Sequence, residues 1–243
     1  MKSFITLCSI FIIMNASSAL ALSIDIYQAG DLADIASWKT TRGGQVTVLE
    51  NFETQTAGWY TSLNTGVGTF TADGEAGTGD TSYNAVHATS LVPYFSIQNQ
   101  SGDWYGRYDT TDGLNGSMNQ WLDSGDITLL HLTGIDSALT NLFFYMQDPS
   151  DVGATTNVGV STFLHDFSSN IYSGQSDGAS FFVGITLDAG EILNELSWKI
   201  STINDGFGVD NFSTVAPVPE PATMLLFGTG LIGLSRIARK KQK

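Results

Sequence analysis

Asp205, Asp210 and Asn211 share one glycine-rich stretch, Asp205-Gly206-Phe207-Gly208-Val209-Asp210-Asn211-Phe212. Short oxygen side chains at that spacing, with free carbonyls beside the glycines, can surround a hard cation such as calcium. Glu53, just past the apolar run Gln45–Phe52, is a fourth candidate ligand if that run lies beside the last strand. The same residues equally suit a tight loop in which Asp205-Gly206 turns the chain and Asp210 caps local amides. A second group gathers Trp104, Tyr105, Tyr108 and Trp121 among Asp103, Arg107, Asp109 and Asp112. Aromatic faces against sugar C–H surfaces, with carboxylates for the hydroxyls, would make a carbohydrate site there. The competing reading places these rings in a hydrophobic interior.

Other chemistry is harder to assemble. His87, His131 and His165 stand far apart without paired ligand spacing, and His131 falls inside an apolar run, as a core or sheet-face residue would. A Ser-His-Asp set can be drawn from His165-Asp166 and many serines, but such pairings arise by chance. With 24 acidic residues no particular pair stands out for glycoside hydrolysis. Gly228-Thr229-Gly230-Leu231-Ile232-Gly233 fits the dinucleotide pattern letter for letter, yet no strand precedes it and no βαβ unit contains it. No enzyme is expected.

The elements that must position these residues begin after a secretion signal. Lys2 starts it, Phe4 to Met14 is its apolar segment, and Ala19-Leu20-Ala21 puts Ala19 and Ala21 where signal peptidase requires small side chains. Cleavage is expected before Leu22, so residues 1–21 leave the mature chain together with Cys8, the only cysteine. Disulfides, thiolate-bound metals and a cysteine nucleophile are thereby excluded. Six of the ten cations lie at the two ends of the chain. Lys39, Arg42, Arg107 and Lys199 remain against all 24 acidic residues, a formal charge of −20 where the whole chain has −14. Such a surface repels phosphate backbones and attracts divalent cations, which rules out nucleic acid as a partner.

Residues 22–216 suffice for one domain with a substantial core. Short apolar runs bounded by Gly, Asp, Asn, Ser and Thr predict strands at Gln45–Phe52, Val67–Thr71, Ala85–Leu91, Trp104–Tyr108, Ile127–Leu132, Leu142–Gln147, Asn157–Leu164, Ala179–Thr186, Ile192–Ile200 and Gly208–Val215. Val46-Thr47-Val48-Leu49 alternates as a half-buried strand does. One helix is expected at Asp31–Trp38, capped by Asp31, with Leu32, Ile35 and Ala36 on its buried face. Many short antiparallel strands without βαβ alternation make an all-β sandwich or jelly roll.

The last 27 residues, 217–243, have a physics of their own. Pro217, Pro219 and Pro221 bar helix and sheet from running through. The apolar stretch from Ala222 to Ala238 would reach about 26 Å as a helix, near the lower limit for spanning a bilayer. Arg236, Arg239, Lys240, Lys241 and Lys243 follow, and positive charge of this kind stays cytoplasmic. In order and spacing this tail resembles the PEP-CTERM sorting signal of bacteria with an outer membrane, its motif being Pro219-Glu220-Pro221 within Val-Pro-Glu-Pro-Ala-Thr. The resemblance implies recognition by an exosortase, an integral-membrane cysteine protease, with cleavage near the motif. It also implies transient anchoring in the inner membrane and then release or transfer to the cell surface, usually alongside extracellular polysaccharide.

Within the domain, Ile127-Thr128-Leu129-Leu130, Leu142-Phe143-Phe144-Tyr145-Met146-Gln147-Asp148, Phe181-Phe182-Val183-Gly184-Ile185 and the stretch Asp205–Phe212 occur in that order. That order resembles the β-sandwich found before many PEP-CTERM tails, which is akin to lectin-like jelly rolls. Together these readings describe an exported sandwich domain flanked by a signal helix and a single C-terminal transmembrane helix. Its expected role is structural or adhesive in an exopolysaccharide matrix, the alternative being a carbohydrate-binding module with possible structural calcium.

Overall fold

The computed structural model describes residues 22–76, 93–99, 107, 120–150, 152–158, 163–166, 179–200 and 205–217. In chain order these form β1 (Ser23–Gln28), α1 (Leu32–Thr41), β2 (Gly44–Glu50), β3 (Gly58–Tyr60), β4 (Ser62–Asn64), β5 (Thr69–Ala76), β6 (Phe95–Gln98) and β7 (Trp121–Asp123). There follow β8 (Ile127–Thr133), β9 (Asn141–Gln147), β10 (Thr155–Val158), β11 (Phe163–Asp166), β12 (Ser180–Thr186), β13 (Glu195–Lys199) and β14 (Gly208–Pro217). One sheet runs β1-β12-β9-β14-β7-β6-β3, with β2 also paired to β14; the other runs β11-β10-β13-β8-β5-β4. Neighbouring strands are antiparallel throughout, from β1 on β12 to β5 on β8.

Strand β9 shows why the sequence folds this way. Leu142, Phe144 and Met146 enter the core shared with the opposite sheet, while Phe143 and Tyr145 enter a smaller core beneath α1. A strand covered on both faces needs apolar side chains at consecutive positions, and Leu-Phe-Phe-Tyr-Met supplies them. The two sheets meet through aromatic rings. Phe212 of β14 lies 4.9 Å from Phe144, 5.5 Å from Phe70 and 6.3 Å from Trp198, and the last two belong to the opposite sheet. Each such pair adds about 0.5–1.5 kcal/mol beyond area burial.

Helix α1 covers the outer face of the larger sheet. Trp38 stands edge-on to Phe143 at 5.8 Å and Phe182 at 5.2 Å, and its Nε1 donates to Asp25 at 2.9 Å. The Arg42 guanidinium lies 3.9 Å above the same ring and pairs with Asp25 at 3.2 Å. Gly184 of β12 makes room for this indole, since a Cβ there would come within 2.5 Å of the ring.

Most predicted runs become strands, with informative departures. Asn157–Leu164 is not one strand: β10 and β11 form an antiparallel pair from either end of it. On β2 the alternation does not mark a buried face, because Val46 and Val48 are exposed at the sheet edge. On α1 the buried residues are Ile35 and Trp38, while Leu32 and Ala36 face solvent. Asp31 sits at the N-cap without a side-chain capping bond, and its Oδ2 instead accepts from the Gln28 N–H at 3.2 Å. Strands β1, β3, β4, β6 and β7 were not expected. The run Ala85–Leu91 lies outside the described residues, as does Trp104–Tyr108 apart from Arg107. The expected signal and transmembrane helices also lie outside them, and among the described residues no helix is long and apolar enough to cross a membrane. Gly184→Ala should cost about 1–3 kcal/mol by overpacking against Trp38, read as a lowered urea midpoint with unchanged slope.

Candidate functional site

Two arrangements converge on β14, one at each end. At its C-terminal end the strand is bent and then gripped. Asn211 adopts a left-handed φ of 55°, and the register with β9 shifts between Asp210 and Ser213. Across this bulge the Asn141 side chain stands in for a missing strand partner. Its Oδ1 accepts from the Val215 N–H at 2.7 Å, and its Nδ2 donates to the Val215 carbonyl at 2.8 Å. The Thr214 hydroxyl donates to the Asn141 carbonyl at 2.9 Å. On the other side β2 pairs as far as Pro217 opposite Gly44. One residue, Val218, then separates the end of the strand from Pro219.

At the N-terminal end of β14, Arg107 holds the loop that enters it. Its guanidinium donates to Asp205 Oδ1 and to the Gly206 carbonyl, each at 2.8 Å, and pairs with Asp123 at 3.2 Å. Asp123, on β7, is fully buried. Burial opposes the charged guanidinium, but Asp123, the bonded Asp205 and Asp148 outweigh it and raise the Arg107 pKa above its ordinary value. While those carboxylates are ionised, a base so shifted contributes stability at every pH below its unfolded value and loses it only as pH rises through the folded one. The Ser124 hydroxyl completes the corner by accepting from the Phe207 N–H at 2.9 Å.

Against this geometry the expected ligands separate. Asp205 is engaged by Arg107, and Asp210, fully buried, accepts from the Asn211 N–H at 2.7 Å. Glu53 accepts from the Gln120 N–H at 3.2 Å. β2 does lie beside β14, but its register sets Glu50, not Glu53, opposite Phe212. Glu50 is itself a loop staple, accepting from the N–H groups of Phe52 and Gly66 at 2.6 and 3.0 Å. Among the described residues no three His, Cys, Asp or Glu side chains come together as metal ligands. Of the calcium candidates Asp205, Asp210, Asn211 and Glu53, the carboxylates of Asp205, Asp210 and Glu53 bond to the guanidinium and to local amides.

The carbohydrate candidates divide. Trp104 and Tyr105 lie outside the described residues. Trp121 is wholly buried in β7 beside Gly208, so neither face of its ring is open to a sugar. His131, on β8, is half-buried and pairs through Nδ1 with Glu195 at 2.7 Å. His87 lies outside the described residues, and His165 falls in β11. Sequence reasoning missed Asn141, Glu50 and the partners of Arg107. The available signal was the rarity of cations: an arginine among so many acids has its choice of carboxylates.

Compared with known families, residues 217–241 match the PEP-CTERM protein-sorting motif. No curated protein and no solved structure matches the chain. The motif implies export, membrane-associated sorting and an exosortase as processing partner. It contains Pro219, Glu220 and Pro221 and the cations Arg236, Arg239, Lys240 and Lys241, all outside the described residues.

Arg107→Met should destabilise the domain by about 3–5 kcal/mol by leaving Asp123 buried without its partner, whereas Arg107→Lys should lose less. Thermal and urea unfolding of both variants checks this. Asn141→Ala should cost about 1–3 kcal/mol and raise proteolysis at residues 213–217 relative to β12, read by limited digestion and mass spectrometry.

Proposed function

We propose that this chain is an exported, non-enzymatic sandwich protein of the cell surface or exopolysaccharide matrix, delivered by its own tail. The observation that carries the reading is the sorting motif at residues 217–241, which begins at the last residue of the strand β14. In the precursor, residues 1–21 direct export and signal peptidase cuts after Ala21. Leu22 is buried and Ser23 opens β1, so that cut leaves every described strand whole. The apolar stretch 222–238 then holds the chain in the inner membrane with its cations on the cytoplasmic side. Val218 to Pro221 reach at most about 14 Å when extended, so the folded domain stays close to the bilayer until an exosortase cuts near the motif.

The role outside the cell follows from surface chemistry. An acidic domain, with four cations against the 23 acidic residues of 22–216 (4 − 23 = −19), repels its own kind, retains water and gathers divalent cations, which suits a hydrated polymer matrix. Many of its buried polar side chains serve the fold: Asp123 holds Arg107, Glu50 holds a loop, and Asn141 holds β14.

Mass spectrometry of the protein from cells with and without the sorting protease tests the reading. The expected form begins at Leu22 and ends near Pro219-Glu220-Pro221, and without the protease the tail is retained in the membrane fraction. Recovery of the chain from cytosol with both termini intact would overturn it.

A further inference from the structure

Edge strands offer unpaired N–H and C=O groups, and most edges among the described strands are blunted. β1 carries Asp25, bonded to Arg42 and Trp38. β3 and β4 are three residues each, and β11 is four residues ending in Asp166. β2 differs. It is seven residues long, uncharged from Gly44 to Leu49, and exposed from Gly44 to Val48, with Val46 at 42% and Val48 at 54%. Among the described strands its one partner is β14, and the exposed residues Gly44 to Val48 carry neither the charge nor the proline with which proteins usually guard an edge.

We propose that β2 pairs with β2 of a second copy of this chain, antiparallel about Thr47, joining two sheets into one. The sequence is self-complementary in that register. Val46 of each copy stands opposite Val48 of the other, twice, and residues opposed in this way share a face, so four valines close into one strip. Charge opposes this edge least. The domain is strongly acidic and two copies repel over most of their surface, but β2 has no charge from Gly44 to Leu49 and Lys39 lies in the last turn of α1 just before it. The path of the chain favours it as well. Pro217 lies opposite Gly44, so the tail leaves beside the first residue of β2, and with the strands lying along the bilayer two anchored copies are related by an axis normal to it, which sets their β2 edges antiparallel. A pair of strands alone buries less than the roughly 1,200 Å² of stable complexes. Association is therefore weak in dilute solution and strong where tethering brings the local concentration to about the millimolar range. The tether, but not the pairing, rests on the function proposed above.

Cysteine cross-linking of the full-length chain tests the pairing, since Cys8 is the only native cysteine and can be replaced by serine. In an antiparallel pair the Cα atoms of opposed residues lie about 4.5–5.5 Å apart, within disulfide range. Under mild oxidation in membranes, and in purified chain at rising concentration, Thr47→Cys should give a covalent dimer on non-reducing gels. Ser62→Cys, on the edge strand β4 of the other sheet, should remain monomeric. Adding Val48→Lys to the Thr47→Cys chain should cut the cross-linked fraction about tenfold by setting lysine against Val46. Val48 is exposed, so an unchanged melting temperature of that variant certifies its fold. Equal cross-linking at Thr47 and Ser62, or no effect of Val48→Lys, would overturn the proposal. Purified chain reports the pairing whether or not the protein is exported, and the terminal masses report export alone.

Discussion

The packing of Phe212 between the two sheets is the interaction on which the rest of this molecule depends. It comes late in the sequence, yet it sits where Phe144, Phe70 and Trp198 meet, so the sandwich cannot close until the last strand is in place. β14 has β9 on one side and β7 and β2 on the other, which makes it an interior strand and not an appendage. Long-range pairing of this kind is slow to form because the intervening loops must be ordered first. The sorting motif therefore begins at the last residue of an interior strand, Pro217.

Two polar devices keep β14 in register at the cost of burying charge and amide groups. Arg107 draws the entering loop against Asp123, where the two buried charges lie 3.2 Å apart, the guanidinium also donates to Asp205 and Gly206, and Asp123 Oδ1 accepts from the Gly125 N–H. Asn141 bridges the bulge that Asn211 creates, giving Val215 both a donor and an acceptor. Both devices act across long sequence separations, and both use residues that are plain polar letters when read locally.

That explains what could be read from the sequence and what could not. The all-β class, β8, β9, β12 and β14 and the C-terminal sorting motif are legible because each depends on local periodicity, turn residues or a compact run of prolines, apolar residues and cations. β6 and β7 are not, being too short for a period to register in Phe-Ser-Ile-Gln and Trp-Leu-Asp. Val46-Thr47-Val48 alternates as a half-buried strand would, yet periodicity alone does not reveal whether any layer covers the apolar side. Asp205, Asp210 and Asn211 looked like cation ligands because their oxygens are close in sequence. What decides their use is a guanidinium nearly a hundred residues away and a left-handed residue that turns the Asp210 carboxylate onto its neighbour's amide. The type of the tail is legible because an address is read as a linear string, whereas a binding site exists only after folding.

The most direct test of the account is native-state hydrogen exchange resolved by peptide. If β14 closes the sandwich, amides of residues 208–215 exchange as slowly as those of β9 at 141–147, both through global unfolding. Exchange of residues 208–215 at the rate of the edge strands, while β9 remains protected, would show that the last strand is dispensable to the core and contradict the account.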